Sequence, residues 1–308
     1  MSIDVSIVVP IFNSSKYIID TITSISEAAN GLEYEILLVD DCSKDINNIK
    51  KIIENFNHIN LIQKNSKTNA ADSRNMGYLA SKGKYVFFLD SDDRFLPDTI
   101  NRRVEFHKKL SIGVIFGNFN LKSENNIQKS NLPPYHNQDM RYYLFQEAGD
   151  FRTSTISISK EHFKGTTFDE QSKKHQDWIY AIRCWNNGES IYLDNLSSVV
   201  ITTDINTNRM SNKFNFEASQ YLCENYLIDQ EVINDFSTKH WKKIIVKQDK
   251  EACDFFFGLY VPQNRTEFIQ YKLYTTLARK YILPVSSWCI RKARAIKSLI
   301  KDNKIEKI

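Results

Sequence analysis

The stretch YVFFLDSDDRF, residues 85–95, joins a run of apolar residues to three carboxylates, Asp90, Asp92 and Asp93. A continuous apolar run predicts a strand buried on both faces, as in a parallel sheet covered by helices. Three neighbouring carboxylates repel one another unless solvent, basic side chains or a divalent cation offsets their charge. Residues 85–95 therefore predict a sheet edge that is either an ordinary acidic turn or a cation site.

The same strand pattern recurs through the first 120 residues, where apolar runs alternate with helical stretches. Strand, helix and strand repeated four times predict a doubly wound α/β sheet, whose ligands bind beyond the carboxyl ends of the strands. The predicted strands are 5–12, 33–41, 59–64, 84–90 and 113–121, and the predicted helices are 15–29, 44–56, 69–82 and 97–110. Two strand ends carry acidic pairs, which favours a cation site at that edge.

The second half of the chain has a less regular pattern and becomes mostly helical beyond residue 215. The pattern breaks up from about 125 to 150, where residues 131–139 are a predicted loop. The predicted elements after it are a strand at 151–159, a helix at 174–188 ended by Gly188, and strands at 190–194 and 197–204. We therefore expect one α/β domain over residues 1–212, followed by a helical region over 213–308.

The composition excludes several classes of protein. The chain of 308 residues has a net charge of +4 and no nucleic-acid-binding motif, so we expect no nucleic-acid partner. Its five cysteines are widely spaced and form no CxxC pair, which argues against a zinc site and a disulfide framework. The N-terminal residues lack the pattern of a signal peptide, and no apolar run is long enough to span a bilayer. We expect a cytoplasmic protein.

Three segments, taken together, resemble family 2 glycosyltransferases with the GT-A fold. They are SIVVPIFNSSKYIIDTITSI (6–25), YEILLVDDCS (34–43) and NSKTNAADSRNMGYLASKGKYVFFLDSDD (65–93). The resemblance covers residues 3–110 and, less closely, 150–211. It implies a Rossmann-like mixed sheet, with a nucleotide-binding half over 1–120 and an acceptor half over 121–212.

The resemblance implies a metal-dependent donor site at Asp90-Ser91-Asp92, which matches the D-x-D motif of the family. Asp92 would bind Mn²⁺ or Mg²⁺ together with Asp90, which would also hold the donor's ribose or sugar, and Asp93 would support the pair. Hard cations prefer oxygen ligands, and a clamped diphosphate leaves more readily.

A nucleotide pocket is implied at the ends of the first two strands. Asp41 would accept a hydrogen bond from the uracil ring, with Asp40 close by, and Pro10, Phe12 and Asn13 would border the nucleotide.

Further positions of the resemblance imply the phosphate contact and the catalytic base. Arg74 would lie near the diphosphate, although the family's glycines before this helix are missing here. Asp177 would deprotonate the acceptor hydroxyl; the family usually has Glu-Asp where this chain has Gln176-Asp177, followed by the aromatic Trp178. His175, beside them, is either a phosphate or metal contact or an ordinary surface histidine.

Two later segments leave alternatives open. Arg209 and Ser211 resemble a segment that closes over the diphosphate, but an ordinary loop explains them equally well. In residues 288–304 the basic and apolar residues partly segregate at helical spacing, which is compatible with peripheral contact on an anionic membrane or with packing on the protein's own domain.

The residues and the resemblance together predict an inverting glycosyltransferase that uses a nucleotide-sugar, specifically a UDP-sugar, and a glycan or lipid-linked glycan acceptor in bacterial surface-polysaccharide synthesis. A glycoside hydrolase would not need nucleotide-site residues at the first two strand ends, and a sugar nucleotidyltransferase would need a glycine-rich loop after the first strand. A non-catalytic nucleotide-sugar-binding protein stays open because of Gln176. The sequence does not predict which sugar is transferred.

Overall fold

The computed structural model describes residues 2–123, 126–203, 215–247 and 250–279. The described residues up to Ala218 form one compact unit, and those from Ser219 onward form a second. The predicted boundary at residue 212 falls among residues that are not described.

The first unit is built on strands and helices that alternate in the order expected from the sequence. Its strands are β1 Val5–Ile11, β2 Tyr34–Asp40, β3 Ile59–Gln63, β4 Tyr85–Phe88, β5 Arg94–Phe95, β6 Val114–Ser123, β7 Asn126–Lys129, β8 Ser157–Ser159 and β9 Ile191–Thr202. Its helices are α1 Ile18–Ala28, α2 Ile46–Ile53, α3 Ala70–Ala80, α4 Thr99–Leu110, α5 Met140–Phe145 and α6 Gln176–Asn186, and α7 Phe216–Tyr226 begins at its end.

The strands form one mixed sheet. Within the described ranges its order is β3-β2-β1-β4-β8-β6-β9-β5, with β7 paired on β6. The pairs β3–β2, β2–β1 and β1–β4 are parallel, whereas β8 runs antiparallel to both β4 and β6. The predicted α/β class with a mixed sheet is confirmed, and the parallel strands bring the carboxyl ends of β1, β2 and β4 to one edge.

The core lies between the sheet and α1, whose apolar residues recur at helical spacing. Ile18, Ile22 and Ile25 are fully buried against β1 and β2, in which nearly every residue is buried. Helix α3 packs closely on β1, since a Cβ at Gly77 would lie 2.3 Å from Cγ1 of Val8. This close approach fixes where α3 presents its other side chains.

Three predicted elements differ from the structure. The expected strand 151–159 is mostly a 3₁₀ turn, Thr153–Thr155, and only Ser157–Ser159 pair in the sheet. Hydroxyl groups explain the difference, because Thr155 Oγ1 donates to the carbonyl of Arg152 at 2.8 Å, a local bond that competes with strand pairing. The two expected strands 190–194 and 197–204 are one strand, β9, whose pairing with β6 is irregular between Gly117 and Phe119.

The second unit is helical, as the sequence predicts. Its described helices are α8 Gln230–Lys247, α9 Lys250–Leu259 and α10 Arg265–Arg279, together with most of α7. Trp241 lies at the centre of an aromatic cluster, with ring centroids 5.0 Å from Phe257 and 4.7 Å from Tyr260. Among the helices described, none has the combination of length and apolar content needed to cross a bilayer.

Candidate active site

The loops that follow β1, β2 and β4 are tied together by hydrogen bonds. The N–H of Asn13 donates to Ser43 Oγ at 2.9 Å, which links the first loop to the second. The hydroxyls of Ser14 and Ser91 lie 2.8 Å apart and link the first loop to the third. The predicted residues of all three strand ends therefore lie along one edge of the sheet.

Two of the predicted nucleotide residues shape these loops. Asp40 is buried, and its two carboxylate oxygens accept from the N–H of Ser43 at 3.1 and 3.3 Å. Asn13 has a left-handed backbone, φ 52°, and its side-chain oxygen accepts from the N–H of Lys44 at 2.8 Å. Asp40 and Asn13 hold the turns from which their neighbours face the edge, whereas Pro10 pairs with Val39 inside the sheet.

Asp41 lies in a charged cluster that the sequence did not predict. Its Oδ1 is 2.8 Å from Nζ of Lys64 and accepts from the N–H of Thr68 at 2.8 Å. Lys64 Nζ also lies 2.7 Å from Oδ2 of Asp72. The lysine side chain is 4% exposed and that of Asp41 is 9% exposed, so these charges depend on one another rather than on water.

Phe12 forms a partly open wall beside Asp41. Its ring is 42% exposed, and Nζ of Lys67 lies 3.5 Å from the ring centroid in a cation–π contact. Asp41 follows β2 as Phe12 follows β1, and the N–H of Asp41 donates to the carbonyl of Ile11 at 3.0 Å. The residues that follow the two strands are therefore held at the same edge of the sheet by this backbone hydrogen bond.

The loop after β4 is held by its own backbone and by Ser154. The hydroxyl of Ser154 donates to Oδ2 of Asp93 at 2.6 Å and accepts from the N–H of Asp90 at 3.1 Å. The hydroxyl of Thr21 donates to the carbonyls of Ser91 and Asp93, each at 2.9 Å. Asp93 is buried, while Asp90 stays partly exposed at the edge.

Arg74 links the loop after β4 to the start of α6. One terminal nitrogen of its guanidinium contacts Oδ1 of Asp90 at 2.6 Å, and the other donates to Oε1 of Gln176 at 2.9 Å. Arg74 is buried, and its Nε has no hydrogen-bond partner among the described residues. The residue predicted for the diphosphate therefore stands between the D-x-D carboxylate and the helix that carries Asp177.

Asp177 is half-buried in the first turn of α6, where the helix dipole favours a negative charge. Burial raises the pKa of its carboxyl above the usual range of an aspartate. Arg152 and Arg74 act in the opposite direction, and the carboxylates of Asp90 and Asp150 add to the rise. A carboxylate with a raised pKa accepts a proton more readily, as a general base must.

His175 and Trp178 form an aromatic pair beside Asp177. Their rings are nearly parallel, with centroids 5.0 Å apart, and the indole N–H of Trp178 donates to Oδ1 of Asp150 at 3.3 Å. His175 has a left-handed backbone, φ 62°, immediately before α6 begins. The pair gives this side of the edge a flat apolar surface of the kind that sugar rings pack against.

The acidic residues of the D-x-D stretch fit a cation that is shared with a diphosphate. Across the part of the chain that the structure describes, no three His, Cys, Asp or Glu side chains gather into a complete metal site. Asp90 and Asp92 are both partly exposed and supply only oxygen ligands. Two carboxylates completed by substrate phosphates are the usual surroundings of Mg²⁺ in nucleotide enzymes.

Sequence reasoning missed Lys64, Thr68, Arg152 and Ser154, and it named two residues that fall outside the described ranges. Lys64 is the last residue of a predicted strand, so its place at the sheet edge was a usable signal. Arg209 and Ser211 lie among the undescribed residues 204–214, and residues 288–304 lie among the undescribed residues 280–308.

The sequence of the first unit matches a known family. The family model described as Glycosyl transferase family 2 matches residues 6–170, more than half of the chain. The chain therefore belongs to glycosyl transferase family 2. The match includes all three strand ends and the loop after β4.

Curated relatives of this chain are named as glycosyltransferases. The chain is 29% identical over 192 residues to the amylovoran biosynthesis glycosyltransferase AmsB of Erwinia amylovora, an alignment that covers 59% of this chain and 64% of that protein. It is 28% identical over 232 residues to the poly(ribitol-phosphate) beta-N-acetylglucosaminyltransferase TarP of Staphylococcus aureus (strain N315), covering 72% of this chain and 66% of that protein. In both cases the chain spans less than two thirds of the relative's length.

Solved structures share the fold. The crystal structure of S. aureus TarS 1-349 in complex with UDP-GlcNAc matches with a TM-score of 0.66 at 17% identity, covering 95% of this chain and 92% of that one. A likeness at this identity supports the GT-A fold and carries nothing about substrate.

Proposed function

We propose that the protein is an inverting, metal-dependent glycosyltransferase that moves a sugar from a UDP-sugar to a hydroxyl of a glycan or lipid-linked glycan. The observation that carries the proposal is the Arg74 bridge, which contacts Asp90 at 2.6 Å and Gln176 at 2.9 Å. Through it the donor-side carboxylates and the candidate base Asp177 converge on one edge. The names of the relatives support a place in bacterial surface-polysaccharide synthesis.

The donor end is assigned to the loops after β1, β2 and β4. The nucleobase would lie against Phe12 and donate its ring N–H to the carboxylate of Asp41. The buried guanidinium of Arg74 would stabilise charge that develops on the departing diphosphate. Mn²⁺ or Mg²⁺ bound by Asp90 and Asp92 would supply Lewis-acid stabilisation of that diphosphate.

The acceptor end is assigned to α6. Asp177 takes the proton of the acceptor hydroxyl as that oxygen forms a bond to the anomeric carbon, and the bond from this carbon to the diphosphate oxygen breaks. A single in-line displacement inverts the configuration. The aromatic pair His175 and Trp178 would support an acceptor ring next to Asp177.

The transferred sugar is proposed at the level of class, a hexose or N-acetylhexosamine. One relative, 28% identical over 123 residues, is named UDP-Glc:alpha-D-GlcNAc-diphosphoundecaprenol beta-1,3-glucosyltransferase WfgD, from Escherichia coli. Its name contains a UDP-hexose, which supports UDP over other nucleotides.

Nucleotide release from a panel of UDP-, GDP-, CMP- and dTDP-sugars tests the proposal, with Mn²⁺, with Mg²⁺ and with EDTA. We expect metal-dependent release from a UDP-sugar that Asp92→Asn and Asp177→Asn each abolish. Asp20→Asn is the matched control, because Asp20 is an exposed aspartate of α1 paired with Arg94. Release that persists in Asp92→Asn would contradict the metal role.

Donor binding without release, in the presence of glycan acceptors, would instead favour the non-catalytic alternative. Gln176 is the residue that raises this alternative, since it stands where the family usually has a glutamate. Gln176→Glu then serves as a second variant, and it is expected to bind donor with the same preference for UDP.

The proposed cellular place is the cytoplasmic face of the plasma membrane, with peripheral contact through residues 288–304. Six basic residues in this segment, Arg291, Lys292, Arg294, Lys297, Lys301 and Lys304, would meet anionic headgroups. Co-sedimentation with anionic vesicles checks the assignment. Removal of residues 288–308 should abolish the binding, and unchanged binding would contradict it.

A further inference from the structure

The carboxylate of Asp41 has two unequal oxygens. Oδ1 receives Nζ of Lys64 and the N–H of Thr68, both at 2.8 Å. Oδ2 forms no hydrogen bond with any described residue, and it is not among the fully buried unpaired atoms of the described chain. One oxygen is therefore paired from within the protein, and the other has no hydrogen-bond partner among the described residues.

Lys64 keeps Asp41 in this state. Its backbone N–H donates to the carbonyl of Asp40 at 3.0 Å, which fixes the lysine behind the loop. Burial acts to lower the pKa of Lys64, but its hydrogen bonds with Asp41 and Asp72 outweigh burial and raise that pKa. The ammonium therefore stays charged, and it sits between two carboxylates without access to solvent.

We propose that Lys64 is a specificity-determining residue of the nucleobase pocket. By filling one oxygen of Asp41, it leaves a single anionic acceptor that selects a base with one ring N–H. This inference rests on the proposed function, because it assigns Asp41 and Phe12 to the base of the donor.

The hydrogen-bonding groups of uracil, thymine, guanine and cytosine explain the selection. Uracil and thymine present one ring N–H between two carbonyls, which a single oxygen satisfies. Guanine presents two adjacent donors, N1–H and N2–H, and needs both oxygens of a carboxylate to satisfy them. Cytosine presents a lone pair at N3, which a carboxylate repels. A polar group left unpaired in a closed site costs more than a hydrogen bond gains.

Binding of UDP, dTDP, CDP and GDP to the full chain in Mn²⁺ tests the proposal. The diphosphate is common to all four ligands, so differences in affinity report the base. We expect the parent protein to bind UDP and dTDP at least about tenfold more tightly than CDP and GDP, a difference of about 1.4 kcal/mol.

The double variant Lys64→Met/Asp72→Asn is the informative change. It removes the ammonium and also one carboxylate, so no unbalanced pair of buried like charges is created. With both oxygens of Asp41 then open, the preference for UDP over GDP is expected to shrink about tenfold. Thermal denaturation of each variant verifies that it is folded.

Two further variants serve as controls. Asp72→Asn alone keeps the contact of Lys64 with Asp41, so it should keep the preference of the parent. Lys108→Met removes a lysine that is paired with Glu105 on an exposed surface, and it should change neither stability nor preference measurably.

The outcomes separate this inference from the proposed function. A folded double variant that keeps the parental preference overturns the role of Lys64 even if the protein transfers sugar. A parent that binds GDP as tightly as UDP overturns it as well. Selective binding without any sugar transfer leaves the role of Lys64 standing and removes only the proposed function. Failure to bind any of the four nucleotides overturns both.

Discussion

The guanidinium of Arg74 and the carboxylate of Asp90 lie 2.6 Å apart, yet they differ sharply in burial. The arginine side chain is 6% exposed, whereas that of Asp90 is 40% exposed. The buried guanidinium of Arg74 is thus paired with a carboxylate that faces solvent. Gln176 is the second side chain that the guanidinium contacts. Through these two contacts Arg74 joins the loop after β4 to α6.

Arg74→Lys should weaken donor binding by about tenfold, because one ammonium cannot reach Asp90 and Gln176 together as the planar guanidinium does. Titration with UDP in Mn²⁺ measures the loss. Arg94→Lys is the matched control, since Arg94 pairs with Asp20 on an exposed surface and contributes at most about 1 kcal/mol. Equal affinity in Arg74→Lys would separate Arg74 from the diphosphate.

Ser154→Ala should raise the Mn²⁺ concentration needed for half-maximal nucleotide release by about tenfold. The change removes the bonds to Asp93 at 2.6 Å and to the N–H of Asp90 at 3.1 Å, which orient the carboxylates of this loop. Substitution of a residue that hydrogen-bonds to a metal ligand typically alters metal affinity by about 10–100-fold.

The control for Ser154 is Ser157→Ala. Ser157 is also buried, and its hydroxyl lies 2.9 Å from Nε2 of His107, away from the acidic loop. Both variants should lose about 1–2 kcal/mol of unfolding free energy. If the two variants require the same metal concentration, Ser154 has only a structural role.

Asp177→Asn should lower turnover by about 10²–10⁴-fold while donor binding is retained. The raised pKa of Asp177 places the acidic limb of the pH–rate profile above the usual range of an aspartate, and the limb should vanish in the variant. Turnover and donor affinity are measured across pH 5–9 on both proteins. Loss of donor binding with normal chemistry would assign the base elsewhere.

The same substitution should not reduce stability at neutral pH. A carboxyl whose pKa is raised on folding binds its proton more tightly in the folded state, so its contribution is favourable at low pH and is lost as pH rises through the folded pKa. The uncharged amide avoids this loss. The melting temperature of Asp177→Asn at pH 7.5 is therefore expected to equal or exceed that of the parent.

His107 should make the protein less stable in acid. Burial, with smaller effects from Arg103 and His162, lowers the pKa of His107 to about 4, although its bond to the carbonyl of Ile112 acts in the opposite direction. In the unfolded chain His107 binds a proton near pH 6.5, whereas in the folded protein it stays neutral down to about pH 4. The free energy of unfolding therefore falls as pH drops from 6.5 to about 4.

Urea unfolding at pH 7.5 and pH 5 measures this effect. His107 contributes at most about 2 kcal/mol to the difference between the two conditions. His107→Gln should reduce the difference by that amount. An unaltered difference in His107→Gln would show that other groups cause the acid sensitivity.

The sequence predicted candidate site residues where acidic side chains lie at the ends of predicted strands. Asp41 and Asp90 lie at one edge because parallel strands share the direction of their carboxyl ends, a rule that needs no coordinates. Ser154 could not be found this way. Its stretch is rich in β-branched and hydroxyl residues and predicts a strand, whereas the hydroxyl bonds of the turn are visible only once the turn is placed beside β4.

Partners distant in sequence were also beyond prediction. Lys64 and Asp41 are 23 positions apart, and their contact depends on the register of β3 against β2, in which Gln63 pairs with Asp40. Arg74 and Gln176 are 102 positions apart. A pattern within a short window indicates an element, but it does not indicate which side chain of another element will face it.

The position of β8 makes the two halves of the first unit inseparable. Ser157–Ser159 come from the second half, yet they fill the place beside β4, the strand that leads to Asp90. A fragment ending at residue 120 would keep the sequence motifs but would expose the backbone of β4 as an open edge. Open edges recruit strands from other chains, so such a fragment would aggregate instead of serving as a minimal nucleotide-binding module.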